Sequence, residues 1–324
     1  MKFVVYRGVR YKKRVEKSPV FVTYWFSRQN VIKQGFSMDH ITELFCILDD
    51  FCKKFNESLE KALISNQKTK LKKSALSLSE AMTIVILFHQ SGFRFFKYFY
   101  CQMIVPFWKS AFPKLLSYNR FIEIMPRCLQ ALSSFFHQVK GKDTGISIID
   151  STKLVVCHNL RIKRHRVFKG LAGRGKSSTG WFYGFKLHLV INNLGEIINL
   201  KLTSGNVHDV AILESLTQEL KGILLGDKGY LSKAKAEALA ARGLKILTPS
   251  RRNMKNKPIQ TEEEKQLLCR RGLIETVNDQ LKNLHQLEHS RHRSVNNFMV
   301  NIMAAVVAYC LNPNKPTFQN MLKG

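Results

Sequence analysis

Three acidic residues of this chain stand where a polar side chain is out of place: Asp150 inside ISIIDST, Asp227 at the end of the apolar run in GILLGDKGY, and Glu275 within RRGLIETVNDQLK. An aspartate among β-branched residues must either lose its water or face a polar cleft. Two such aspartates at strand positions of one sheet can converge on one place. A third carboxylate, from a helix packed on that sheet, would complete an oxygen cage for two magnesium ions. Such ions favour carboxylates, water and phosphate oxygens, and at about 3.5–4 Å apart they activate an attacking oxygen and stabilise a leaving one. Singly, each residue also has an ordinary reading: a strand end, a turn with Gly229, and an exposed helical charge.

At 100° per residue, Arg271 and Lys282 fall within about 40° of Glu275 on a helix, so R-x3-E-x6-K sets a carboxylate between two cations on one stripe. That stripe offers metal coordination at its centre and phosphate neutralisation beside it. Asp279, one turn on, is the rival third ligand. His208 and Asp209 open a helical stretch, where they read as a capping pair or as neighbours of the metal ligands.

The 324 residues include 52 lysines and arginines against 23 acids, a formal charge of +29, yet 45% are hydrophobic and 10% aromatic. That is too apolar for a disordered polycation and indicates a folded protein with an electropositive surface. A nucleic acid is the first expected partner and an anionic membrane surface the second. Between Ser151 and Gly195 there are nine cations and no acid, with Arg161, Lys163, Arg164, Arg166 and Lys169 bunched ahead of GLAGRGKSSTG. This glycine run lacks the spacing of a nucleotide-binding P-loop and reads as a flexible basic loop, 161–176, able to follow a phosphate backbone. A second acid-free stretch, Ala238–Thr261, carries Arg251 and Arg252 just before the Glu275 helix.

The elements that must position these residues follow from periodicity. Up to about residue 140 the pattern is helical. Ser77-Leu78-Ser79-Glu80 has capping-box spacing ahead of Ala81–His89, and Ser91-Gly92 separates that helix from Phe93–Met103. Helix, tight turn and helix could read DNA, but plain packing is the preferred reading, as it is for the aromatics from Phe93 to Tyr100. From Thr144 the pattern predicts a strand around Asp150 and a hairpin of Trp181–Asn192 with Glu196–Ser204. Helical spacing follows over His208–Glu219, then a strand over Gly222–Leu225, a helix over Ser232–Ala241 and a strand over Lys245–Thr248. Two long helices close the pattern, Glu262–Leu287 and Asn296–Leu311. The order is that of an α/β layer with a mixed sheet.

No apolar run reaches the ~18 residues needed to span a bilayer, and the basic start is broken by charge too soon for a secretory signal. The seven cysteines are scattered without a CxxC pair, and Cys157-His158 reads as a strand end, so a soluble protein of a reducing cytoplasm is expected. Residues 1–37 carry nine cations and one glutamate without an amphipathic period. MDHITELFCILDDFCKKF then opens a helical pattern that puts Ile41, Leu44, Phe45, Leu48, Phe51 and Cys52 on one face, which marks Met38 as a start or 1–37 as a dispensable arm.

Asp150 in IIDSTK, the run Gly205-Asn206-Val207-His208-Asp209, Asp227 in GDKGY, and Arg271, Glu275 and Lys282, with the three carboxylates spaced by 77 and 48 residues, resemble the DDE transposases of bacterial insertion sequences, most closely the insertion sequence 982 family. The resemblance covers about Met38 to Leu311, and it departs at Leu268, where related enzymes carry a tyrosine. It implies an α/β, RNase H-like catalytic domain over 141–312, preceded by an all-helical DNA-end-binding domain over 38–140 and followed by a tail over 313–324. It implies that Asp150, Asp227 and Glu275 bind Mg2+, or Mn2+ in its place, while Arg271 and Lys282 steady DNA phosphates. The implied reaction cuts double-stranded transposon ends and joins them to target DNA, within a homo-oligomer on bacterial, nucleoid-associated DNA. A metal-dependent nuclease without strand transfer and an inactive DNA-binding relic are the alternatives.

Overall fold

A computed structural model describes residues 37–65, 74–177, 180–250, 260–288 and 292–318. The chain divides into two units, Met1–Leu44 and Phe45–Gly324. The basic 1–36 arm lies outside the described residues. In the first unit the helix Met38–Ser65 opens with Ser37 Oγ accepting from the His40 N–H at 3.2 Å.

Within the second unit, that same helix buries Leu48, Phe51 and Cys52, and the Phe51 ring lies 5.0 Å from that of Phe135. The helix Leu78–Gln90 starts on the expected capping box, with Ser77 Oγ accepting from the Glu80 N–H and Glu80 accepting from the Ser77 N–H. Nearly every residue of it is buried, Ser79 and Ala81–His89 included. A helix enclosed on all sides has no face left to read a groove, so plain packing describes it. Of the following aromatics, Phe99 and Tyr100 are core and Phe96 stacks on Phe121 at 5.5 Å, whereas Phe95 and Tyr98 are exposed. The central helix Val295–Leu311 is apolar all round and packs against Leu78–Gln90 and Cys128–Val139. Its Tyr309 hydroxyl donates to the Gly195 carbonyl at 2.6 Å.

Six strands form one mixed sheet: β1 (Ile146–Cys157), β2 (Gly173–Ser177), β3 (Gly180–Asn192), β4 (Ile197–Ser204), β5 (Gly222–Leu225) and β6 (Leu244–Leu247). β3 lies antiparallel to β1, β2 and β4; β1, β5 and β6 run parallel. β2 pairs with the first part of β3 and β4 with the remainder. The β3–β4 hairpin turns at Gly195, whose φ of +71° favours glycine, while Asn192 Oδ1 accepts from the Leu194 and Glu196 N–H groups. One face of β1 and β3 places Ile149 and Val190 in a core with Leu213, Leu216, Leu224, Leu239 and Tyr230.

Three expectations need correction. Residues 161–176 are not a flexible loop: Asn159–Arg164 is a 3₁₀ helix and Gly173–Ser177 is β2. The glycines mark close backbone approach, since a Cβ on Gly175 would lie 2.3 Å from the Gly205 carbonyl oxygen. The expected long helix 262–287 is broken. Glu262–Cys269 gives way to a 3₁₀ turn at Arg270–Gly272, then Leu273–Asp279 is α-helical and Gln280–Leu284 is a π-turn. His208–Glu219 shortens to a 3₁₀ turn, Asp209–Ile212, and one α-turn, Leu213–Leu216.

Candidate active site

The strand register brings the two aspartates together. β1 and β5 are parallel neighbours whose last paired residues are Ile148 and Leu225. Asp150 lies two residues beyond that pair within β1, and Asp227 lies two residues beyond it, just past β5 at the start of the 3₁₀ turn Lys228–Tyr230. The small Gly226 between β5 and Asp227 packs on Ile149 and Tyr230, and its N–H still donates to the Leu247 carbonyl, which carries the backbone straight to Asp227.

Burial pushes the Asp150 carboxyl up to about 6, with Asp227 and Asp209 adding to the rise. The Ser151 backbone N–H and the Arg271 guanidinium pull the other way without cancelling it. Tyr230 lies among the same charges. Its hydroxyl is buried with no hydrogen-bond partner, and burial first, then Asp209, Asp150 and Asp227, push its pKa up. Asp227 and Asp209 thus bring negative charge close to a buried carboxyl in the middle of the sheet.

The helix Leu273–Asp279 packs on β1 and carries Glu275. Its carboxylate is exposed and pairs with Arg271 at 3.2 Å, so Arg271 stands electrostatically between Glu275 and Asp150. Among the described residues no three His, Cys, Asp or Glu side chains form a ready metal-ligand group as they lie. The rival Asp279 accepts from Asn283 Nδ2 at 2.6 Å.

Lys282 lies in the π-turn Gln280–Leu284, which takes more than 3.6 residues per turn. Its ammonium donates to the Lys153 carbonyl at 2.9 Å and pairs with Glu288 at 3.4 Å, and Glu288 in turn accepts from the Val155 N–H. Lys282 therefore ties the turn to β1. Arg161, Lys163, Arg164, Arg166 and Lys169 are all exposed after β1, while Arg251 and Arg252 lie outside the described residues.

His208 is the N-cap of the 3₁₀ turn and makes no side-chain cap there, while Asp209, the first residue of the turn, faces the sheet. It accepts from Lys186 Nζ at 3.0 Å and Ser151 Oγ at 3.1 Å, with His188 Nδ1 at 3.7 Å. Lys186 also donates to the Val207 carbonyl. His188 is fully buried, and burial holds its pKa down to about 4 against the pull of Asp209. Sequence reasoning named Asp209 and passed over Lys186, His188, Ser151 and Tyr230. A signal for two of them was present, because Lys186 and His188 put polar groups at successive same-face positions of a strand that is otherwise apolar.

Residues 140–295 match the family model described as a transposase DDE domain. No curated protein sequence matches the chain. Among solved structures, the chain is similar to a piggyBac transposase synaptic complex with hairpin DNA, at 12% identity and a TM-score of 0.40, covering 87% of this chain and 74% of that one. It is also similar to the Mos1 strand transfer complex, at 13% identity and a TM-score of 0.21, covering 94% and 89%. At these scores the overlaps are too loose to transfer any residue. Residues 140–295 carry the match to a transposase DDE domain, and that match supports an enzyme with DDE transposase activity.

Proposed function

We propose that this enzyme binds transposon ends, cleaves DNA phosphodiester bonds and joins the ends to target DNA, with Asp150, Asp227 and Glu275 holding divalent metal. The observation that carries the reading is that Asp150 on β1 lies within electrostatic reach of Asp227, just past the parallel neighbour β5, with the Arg271–Glu275 pair on the helix packed over β1. The spatial strand order β4-β3-β1-β5-β6, antiparallel on one side and parallel on the other, supports an RNase H-like catalytic domain. We read 38–140 as its end-binding helical partner.

The donor set fits magnesium or manganese: hard carboxylate oxygens, one of them desolvated and short of countercharge. When bound, such ions supply activation of the attacking oxygen and stabilisation of the leaving one. Asp150, on strand backbone, and Asp227, just past the end of β5, would offer the ligands held by the sheet. Glu275 would complete the set, and its present partner Arg271 would then be available to a DNA phosphate. The exposed cations from Arg161 to Lys169 neutralise backbone phosphate on the approach, and the attacking groups are water first and a DNA 3′-hydroxyl second.

The test is strand cleavage of duplex DNA carrying the element's ends in Mg2+, compared among the wild type and Asp150→Asn, Asp227→Asn and Glu275→Gln. Each amide keeps shape and loses charge, so cleavage should fall by roughly 10³-fold or more while duplex binding persists. Substantial cleavage by Asp227→Asn would refute the assignment. Joining of labelled ends to target DNA separates a transposase from a plain nuclease.

A further inference from the structure

The odd-numbered side chains of β3 form one row, Trp181, Tyr183, Phe185, Leu187 and Leu189, and Leu189 is the register partner of Asp150. Strand alternation therefore puts Trp181 on the Asp150 face of the sheet. The row is covered along most of its length. Phe168 and Phe298 pack on Phe185 at 5.5 and 5.2 Å, and Tyr183 and Phe185 are each 8% exposed. Trp181 emerges from this cover at 55% exposure.

Its surroundings are cationic. Lys176 is its cross-strand partner on β2, and the Arg174 guanidinium and Lys176 ammonium lie 5.4 and 5.9 Å from the indole. Asn159 Nδ2 donates to the Trp181 carbonyl at 2.8 Å, which anchors the strand to the 3₁₀ helix bearing Arg161, Lys163 and Arg164. An apolar ring held open to solvent beside two cations, in a chain of +29, matches one chemistry above others: a base that stacks on the ring while its flanking phosphates meet the cations.

We propose that Trp181, with Arg174 and Lys176, is a stacking platform for an unpaired DNA base. Its position predicts where that base lies. Trp181 is eight residues along β3 from the register partner of Asp150. Eight residues of strand span about 26 Å, and a duplex following the strand rises that far in about eight base pairs. The platform thus binds distorted DNA within about eight base pairs of the cut phosphate. This inference rests on the transposase reading and adds a substrate feature, local unpairing, that the carboxylates do not require.

The test uses the full-length protein and two 30-base-pair oligonucleotides of the same sequence, one fully paired and one with a three-base mismatch bubble, in fluorescence anisotropy at fixed salt. The wild type should prefer the bubble by on the order of 10-fold, the range set by stacking one base on an aromatic ring. Trp181→Ala should erase that preference while holding paired-duplex affinity within about 3-fold, and Trp181→Phe should keep most of it. Permanganate reactivity of thymines on an end substrate should rise near the predicted position with the wild type and not with Trp181→Ala. An unchanged preference in Trp181→Ala overturns the platform, as does its absence in the wild type. A change of oligomeric state in Trp181→Ala without DNA would reassign the ring to a protein contact and overturn it too. Wild-type protein that binds neither oligonucleotide would defeat the transposase reading itself, a result distinct from all of these.

Discussion

Asp209 and Asp150 lie within electrostatic reach of one another, yet their surroundings differ in kind. Asp209 accepts from Lys186 and Ser151 and has a buried histidine nearby, so its charge is met inside the protein. Asp150 has one backbone N–H and the influence of an arginine already paired elsewhere, and its carboxyl is pushed up to about 6. A structural carboxylate is completed by its neighbours, whereas one kept for a cation is left incomplete. The difference is what the proposed metal site requires: one aspartate that holds its surroundings together and one that is left for a ligand.

Opposite changes in metal-free stability would sharpen this contrast. Asp209→Asn leaves the Lys186 ammonium without its partner in a half-buried site, and should destabilise the fold by about 2–3 kcal/mol. Asp150→Asn removes a desolvated charge and should stabilise it by about 1–2 kcal/mol at pH 7. The sign follows from the raised carboxyl: the native state holds its proton more tightly than the unfolded state. The destabilisation due to Asp150 is therefore present above pH ~6 and vanishes below the unfolded value near 4, as should the advantage of Asp150→Asn. Urea unfolding in EDTA at pH 7 and pH 4 measures both, and a destabilised Asp150→Asn at pH 7 would break the comparison.

A smaller effect concerns His188, which faces Asp209, Lys186 and Lys201 and hydrogen-bonds Thr203 at 2.8 Å. Its pKa, about 4 against an ordinary 6.5, means that the unfolded chain takes up the proton first as pH falls. Stability should drop from pH 7 to pH 5 by about 1 kcal/mol more in the wild type than in His188→Gln, as read from urea midpoints. Equal acid sensitivity in the two would show that the ring is not held neutral.

Much of this was legible in the chain. β5 was predicted at Gly222–Leu225 and is found there, because a short apolar run between glycine and a turn has few other solutions. The hairpin and its Gly195 turn follow from alternation, and the capping box at Ser77 follows from spacing. β2 was missed because glycine reads locally as a loop, while its reason here is tertiary, a neighbouring backbone at Gly205. The break at Arg270–Gly272 and the π-turn at Gln280–Leu284 hide inside a continuous helical pattern, and only the fold reveals that Lys282 binds the Lys153 carbonyl of β1. Asp209 could be named from its motif, but its partner Lys186 lies 23 residues away on a strand and is joined to it only by the folded sheet.

The central claim is that Asp150, Asp227 and Glu275 hold one cation site. Its most direct measurement is a crystal structure of the protein grown with Mn2+, with the metal placed by anomalous scattering. The prediction is density within about 2.2 Å of carboxylate oxygens from Asp150 and Asp227, with Glu275 swung from Arg271 toward the metal. Manganese bound by Asp279 in place of Glu275, or away from Asp150 altogether, would contradict it.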